Sequence, residues 1–263
     1  MQSSIILVTL ILGTMLPFAH AEIPAAPKAV TSTGRVLIYT RNHTPDGKGY
    51  VHANIDASSA AIAELMAEKG FSSDISKNPD DFSATNLSRY KAVVFCNTNN
   101  EAFTNPAQSK ALVDFVSDGG GFVGIHSATG SERQNSAFRN LLGGVFIWHT
   151  PNQPFNLVVT DKSHPATAHL PDTWRVKDEG YFCEMVDGLH VVLEMDTTSV
   201  AKPPRSEWKV KFEGNRFPLA WGKEFGKGRS FYTALGHDST FYSDPLFRKH
   251  LLGAILWSMR VEL

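Results

Sequence analysis

Three short, unbroken apolar runs constrain this chain more than any other feature. They are Arg35-Val36-Leu37-Ile38-Tyr39-Thr40, Ala92-Val93-Val94-Phe95-Cys96 and Phe122-Val123-Gly124-Ile125-His126. Each has the length of a strand, is rich in β-branched or aromatic residues, and is apolar on both faces, which predicts a strand covered on both sides. Helical spacing separates them. Residues 54–69 place Ile55, Ser58, Ser59, Ile62, Leu65 and Met66 on one face, with Gly70 as a stop. Residues 106–118 place Leu112, Val113 and Val116 on one face, begin with a proline suited to a first turn, and end in Gly119-Gly120-Gly121. A further strand is expected at Phe71–Ile75 and a further helix at Glu132–Leu142. Buried strands alternating with amphipathic helices predict an α/β fold: a mostly parallel sheet with helices on both faces. Ligands of such sheets bind beyond the carboxyl ends of the strands. Those ends are Thr40–His52, Asn97–Glu101 and His126–Gly130.

The second half is less regular. Phe155–Thr160, His190–Met195, Phe217–Trp221 and Arg229–Leu235 read as strands, Thr197–Asn215 as a polar, proline-rich loop, and Pro245–Met259 as a closing helix with Phe247, Leu251, Ala254 and Ile255 inward. No linker divides residues 35–263, so they are expected to form one domain. With 42% hydrophobic and 19% charged residues, the chain has the composition of a globular protein. A net charge of -1 gives no electrostatic reason to expect nucleic acid. The short basic cluster Lys202, Arg205, Lys209 and Lys211 is interleaved with prolines and Glu207, and reads as a solvated loop.

Residues 1–21 read as an export signal. The apolar run Ile5–Phe18 is too short to span a bilayer and ends in Ala19-His20-Ala21, a small-x-small cleavage pattern, although Met1–Ser4 lacks the usual basic residue. Residues 22–34 follow as a flexible lead-in. No later segment has a membrane-length apolar run, so the exported chain, periplasmic or extracellular, is expected to have no stable membrane insertion. Export allows Cys96 and Cys183 to pair, but nothing in the sequence brings them together, and two buried free thiols are expected.

Ten histidines are the first pointer to chemistry. The stretch Gly119-Gly120-Gly121-Phe122-Val123-Gly124-Ile125-His126-Ser127-Ala128-Thr129-Gly130 has the pattern of a nucleophile elbow: a strand, a tight glycine-flanked turn, then a helix. Its tip is His126, which suits a metal ligand or a general acid/base rather than an attacking group. The alternative is a histidine that merely caps the turn. His52, His149 and His237 lie at loops or strand ends, and Glu179 follows Asp178. His52 on its own reads as a surface residue at a helix end, His164 before Pro165 as a loop residue, and His250 as a packed core histidine. No H-E-x-x-H or C-x-x-C motif is present, so a metal site would have to be assembled from distant loops. Trp148, Tyr181, Trp221 and Tyr232 are aromatic faces that could stack on a sugar, or simply core.

The chain resembles the ThuA-like (trehalose utilisation) family across nearly all of Arg35–Met259. The matching stretches are Val36-Leu37-Ile38-Tyr39, Gly49-Tyr50-Val51-His52, Tyr90-Lys91-Ala92-Val93-Val94-Phe95, the elbow through Ala128, Trp148-His149, His164-Pro165-Ala166, Asp178-Glu179-Gly180-Tyr181, Pro218-Leu219-Ala220-Trp221 and Gly228–His237. The resemblance implies a flavodoxin-like, class I glutamine amidotransferase-like open sheet. In the amidotransferases the elbow carries a catalytic Cys, so His126 at this position disfavours glutamine hydrolysis. It also implies use of a disaccharide or keto-sugar derivative, with a divalent metal, zinc or manganese, as the candidate cofactor. The residues carried over are His52, His126, His149 and His237 as metal ligands, His126, Glu179 and His237 as catalytic groups, and Trp148, Tyr181 and Trp221 as substrate-binding aromatics. The loop His43–Lys48 is longer than is usual before the Gly-aromatic-x-His motif and is expected to reshape the mouth of the site. Two functions fit these residues. One is a sugar hydrolase, lyase or isomerase working by metal-assisted or His/Glu acid-base chemistry. The other is a non-catalytic carbohydrate-binding module, which has no need of several convergent imidazoles.

Overall fold

The computed structural model describes residues 34–201 and 210–262. The export signal, the lead-in up to residue 33, and Lys202, Arg205 and Lys209 lie outside the described residues.

The first strand, β1 (Arg35–Tyr39), is followed by α1 (Ile55–Glu68), β2 (Ser72–Ser76), the short α2 (Ala84–Leu87), β3 (Ala92–Cys96), α3 (Pro106–Ser117) and β4 (Gly121–Ile125). Every residue of β3 and β4 is buried, as their continuous apolar sequence requires. The helix starts are fixed by local chemistry. Asn105 accepts from the Ala107 and Gln108 N–H groups at the head of α3, and Pro106 occupies the first position, where no N–H is needed. The two faces of β4 show how the helices divide. A methyl on Gly121 would strike Ser258, whereas one on Gly124 would strike Leu142. Three residues apart on a strand, these positions point to opposite faces. One face carries α1 and α5 (Pro245–Ser258), and the other carries α2, α3 and α4 (Ser136–Leu142).

The later strands are β5 (Gly144–His149), β6 (Gln153–Val159), β7 (Thr173–Asp178), β8 (Tyr181–Met185), β9 (His190–Asp196), β10 (Arg216–Phe225) and β11 (Gly228–Thr233). The main sheet has nine strands in the order β2-β1-β3-β4-β11-β10-β9-β6-β7, and β5 pairs with β8 separately. From β2 to β11 the neighbours are parallel. From β11 to β7 they are antiparallel. The fold is therefore an open α/β sheet with a parallel half that bears the helices and an antiparallel extension.

Three differences from the sequence reading have physical causes. The helix expected at Glu132–Leu142 begins only at Ser136. Residues 126–130 form a 3₁₀ turn, Glu132 adopts a left-handed φ of +49°, and its carboxylate accepts the Ala102 and Phe103 N–H groups. A side chain used that way holds its backbone out of a helix. The strand expected at Phe217–Trp221 runs for ten residues, interrupted by a register shift at Pro218–Ala220, where proline removes a ladder donor. β5, β7 and β8 have no counterpart among the expected strands, although Thr173–Asp178 of β7 alternates exposed and buried residues as a half-covered strand does.

His250 on α5 is the packed histidine that its spacing suggests. It is fully buried, donates from Nδ1 to the Ala166 carbonyl at 2.8 Å, and accepts at Nε2 from Thr233 at 3.1 Å. Burial lowers its pKa from 6.5 to about 3. In the unfolded chain this imidazole takes up a proton below its ordinary pKa, whereas in the fold it stays neutral until much lower pH. The unfolded state thus holds more protons between these values, and stability falls as pH drops through that window. His164, lowered to about 4 chiefly by burial, adds to the same trend. Urea midpoints measured from pH 7 to pH 4 are expected to fall, and to fall less in His250→Gln. Equal slopes in the two proteins would show that His250 does not contribute.

Candidate functional site

His126 follows the last residue of β4 and takes a left-handed φ of +50°, the strained elbow that the sequence suggested. The glycines on either side are closely packed: a methyl on Gly124 would press on the Leu142 side chain, and one on Gly130 on the Asn99 side chain. The imidazole is fully buried. Its Nδ1–H donates to the Ala234 carbonyl at 2.7 Å, so in the neutral ring the lone pair is on Nε2. That nitrogen lies 3.1 Å from His52 Nε2 and 3.0 Å from the Tyr181 hydroxyl. His52, just ahead of α1, is buried rather than a surface residue at a helix end. Burial, followed by the neighbouring His126 and His237, lowers its pKa to about 3, so it stays a neutral imidazole.

Glu179 comes from the turn between β7 and β8. Its Oε2 is 3.5 Å from His126 Nε2 and 3.3 Å from His237 Nδ1, and its Oε1 is 3.4 Å from His149 Nδ1. Burial alone would push this carboxyl up, but contact with His126 and His237 prevails and holds it well below the usual range. Glu179 in turn raises the His237 pKa. One donor atom from each of His52, His126, Glu179 and His237 lies within 4.8 Å of the other three. Tyr181, nearly enclosed, is raised well above an ordinary phenol by burial and then by Glu179, so it keeps its proton.

The sequence reading did not assign roles to the groups that hold this cluster in place. Asp178 is fully buried; its Oδ2 accepts the Gly236 N–H at 2.7 Å and its Oδ1 the Glu179 N–H at 2.8 Å. Burial pushes this carboxyl up, with His126 and the Gly236 N–H opposing. Asn54 donates to the Gly236 and His237 carbonyls at 2.6 and 2.8 Å. Gly236, with φ +113°, has no room for a methyl beside the Tyr242 hydroxyl, 2.6 Å from where its Cβ would sit. Two polar side chains thus pin the loop that carries His237. Asp178 was visible as half of an Asp-Glu pair. Asn54 had no sequence signal, because its partners lie about 180 residues away.

A cavity of about 260 Å³ opens over the cluster, and its walls include Tyr50, Ser127, His149 and Tyr181. Three expectations are corrected. His149 stands beside Glu179 instead of among the four converging donors; it is partly exposed, and its Nδ1 donates to the Thr150 carbonyl at 2.8 Å. Trp221 is core: it is 1% exposed, its ring lies 4.6 Å from Tyr232, and its Nε1–H donates to Leu142 O at 3.0 Å. Trp148 stacks on Phe182 and lies outside the cavity wall. Of the three aromatics, only Tyr181 faces the site. Cys96 and Cys183 are buried free thiols, both pushed up to about 12 by burial, and neither lines the cavity.

Comparison with known proteins agrees with this architecture. No curated protein matches the sequence. A ThuA-like protein from Bacteroides uniformis is 23% identical, with a TM-score of 0.70 over 89% of this chain and 94% of that one. A ThuA-like protein from Parabacteroides merdae is 20% identical, with a TM-score of 0.65 over 86% and 89%. A β-galactosidase from Bacillus circulans sp. alkalophilus is 15% identical, with a TM-score of 0.52 over 88% of this chain but only 32% of the larger protein. At these identities the likeness is one of fold. The family model for ThuA, described as trehalose utilisation, matches residues 35–258, and the chain belongs to that family.

Proposed function

We propose that this chain is an exported enzyme acting on a small carbohydrate, a disaccharide or keto-sugar derivative, by hydrolysis, elimination or isomerisation. The observation that carries the reading is the convergence of His52, His126, Glu179 and His237 under one cavity at the carboxyl end of the parallel strands. A structural core has no use for three imidazoles and a carboxylate gathered this closely, since each pays a desolvation cost. The family description, trehalose utilisation, supports a sugar as the ligand.

The donor set fits a divalent metal. Three imidazoles and one carboxylate make a set suited to zinc, with manganese the second candidate. The Ala234 carbonyl fixes the His126 tautomer so that the Nε2 lone pair would be available to a metal, the role that outer hydrogen-bond partners of ligating histidines play. His52 is kept neutral, as a ligand must be. When bound there, a metal would act as a Lewis acid toward a sugar carbonyl or hydroxyl. The remaining work falls to the chain. Glu179, held ionised, suits a ligand or an orienting partner better than a lone base. If His52, His126 and Glu179 hold the metal and His237 is left off it, His237, made more basic by Glu179, would be the group to take or return a proton. Tyr181, which keeps its O–H, can donate to a sugar oxygen on which negative charge develops.

Elemental analysis of the purified protein, with mass-spectrometric screening of disaccharides and their keto derivatives, tests this reading. Near-stoichiometric divalent metal and turnover of at least one sugar are expected. Sugar binding with neither metal nor turnover would make the chain a binding module. Export rests on Ile5–Phe18 and the Ala19-His20-Ala21 pattern. Amino-terminal sequencing of secreted protein should begin at Glu22, and a retained Met1 would refute cleavage.

A further inference from the structure

Two hydrogen-bonding side chains on the cavity wall have no part in the chemistry above. Ser127 follows His126 at the elbow and is 2% exposed. It lines the cavity, and its hydroxyl is buried with no hydrogen-bond partner among the described residues. A buried hydroxyl left unpaired is costly, and one on a cavity wall points to a ligand oxygen as its partner.

Arg133 is the second. It is exposed, yet held in place: its Nε donates to the Gly130 carbonyl at 3.2 Å, and its guanidinium lies over Phe146, 5.3 Å from the ring centroid. Phe146 packs on Tyr181 at 4.7 Å, and Tyr181 on His126 at 4.4 Å, so Arg133 is tied to the catalytic wall through two aromatic rings. Among the described residues Arg133 forms no ion pair. The acids nearby are otherwise engaged. Glu132 accepts the Ala102 and Phe103 N–H groups, Glu101 lies 3.9 Å from His43, and Glu179 faces three imidazoles. The remaining guanidinium N–H groups are left to meet a ligand.

The charge and the hydrogen-bond sense of this wall narrow the ligand. Arg133 can only donate, and the single carboxylate among the lining residues is Glu179. A neutral hydroxyl would satisfy Ser127 but leave the guanidinium charge unmatched. A carboxylate carries the opposite charge and accepts two parallel N–H bonds from one guanidinium edge. A phosphate dianion fits less well, because it draws on several donors at once and Glu179 in the same small cavity repels it more strongly. The cavity, about 260 Å³, is small enough for one ligand to touch Arg133, Ser127 and the histidines together. We infer that the site takes a sugar acid: Arg133 holds the substrate's carboxylate, Ser127 donates to an oxygen of the same molecule, and the hydroxyl-bearing carbons lie over His126 and Glu179. The inference rests on the carbohydrate reading above and narrows it to sugars that carry a carboxylate.

The test is calorimetric titration of the full protein with matched pairs: glucuronate and glucose, galacturonate and galactose, gluconate and glucitol. At least one acid is expected to bind about tenfold more tightly than its neutral partner, the gain that a charge-assisted, two-pronged contact supplies. Arg133→Gln, a substitution at an exposed position, should bring that ratio close to one. Arg133→Lys, which keeps the charge without the fork, should leave an intermediate ratio, and Ser127→Ala should weaken the acid several-fold. Acetate and glycolate, carboxylates without a sugar, should bind at least about tenfold more weakly than the sugar acid. Equal binding of acid and neutral sugar, or a preference that survives in Arg133→Gln, would overturn the assignment and leave the carbohydrate reading in place. Acetate bound as tightly as the sugar acids would remove the sugar from the ligand, and with it the carbohydrate reading. No binding of any of these compounds would overturn both.

Discussion

Replacing His126 with alanine is expected to abolish the proposed turnover and the proposed metal binding while the protein remains folded. Loss of a positioned acid, base or ligand costs about 10²–10⁴-fold in rate, and more where a ligand set is broken. The structural cost is smaller. The Ala234 carbonyl loses its only described side-chain donor, a buried acceptor left unmade, at about 1–3 kcal/mol. That is less than the roughly 5–15 kcal/mol that holds a typical domain together. His126→Asn is the sharper variant. Asparagine tolerates the left-handed backbone that His126 occupies, and its amide can donate toward Ala234, but it offers no imidazole to the cluster. Metal content, turnover and melting temperature should be measured on both variants. An active His126→Asn would remove the imidazole from the mechanism. Collapse of both proteins would return His126 to the role of a structural cap.

The second large effect separates stability from binding. Trp221→Ala is expected to destabilise the fold by about 3–5 kcal/mol, the range for truncating a large buried aromatic. The indole lies against Tyr232 and satisfies the Leu142 carbonyl, and the backbone at Gly143 packs so closely on it that a methyl there would clash. None of these contacts involves the cavity over the histidines. The urea midpoint should fall sharply, while KM, measured where the variant is still folded, should stay close to that of the parent. A normal midpoint with a raised KM would instead make Trp221 the sugar platform that its sequence context suggested.

The Trp221 case shows where the sequence was a poor guide. Aromatic residues serve cores and sugar platforms alike, and composition does not tell which side of a strand faces solvent. Within β10 the register shift at Pro218–Ala220 falls between Trp221 and the strand's start, so simple alternation could not place it. His149 failed differently. It lies at the right strand end, but its ring is drawn to the Thr150 carbonyl, and it reaches Glu179 through Oε1, whereas His126 and His237 share Oε2. The antiparallel extension was only half legible. β7 and β8 mix charged and apolar residues, and β5, apolar in sequence, leaves most of its residues only partly covered, so none of the three carries a clear periodic signal.

What the sequence by itself determined is local. Strands buried on both faces must be continuously apolar, so β1, β3 and β4 were readable, and helices with one buried stripe must show the helical period. The elbow at His126 was readable because a tight turn needs glycines close by in sequence. The site itself was decided by tertiary structure. His52, His126, Glu179 and His237 converge only because β1, β4 and β11 are neighbours or near-neighbours in the parallel half while β7 delivers Glu179 from the far edge strand. Asp178 and Asn54 then fix the last loop by hydrogen bonds that span long stretches of the chain. Periodicity and turn chemistry act over a few residues and leave a mark in the sequence. The distances that turn four separate side chains into one site arise from the packing of the whole sheet, and no short stretch of the chain encodes them.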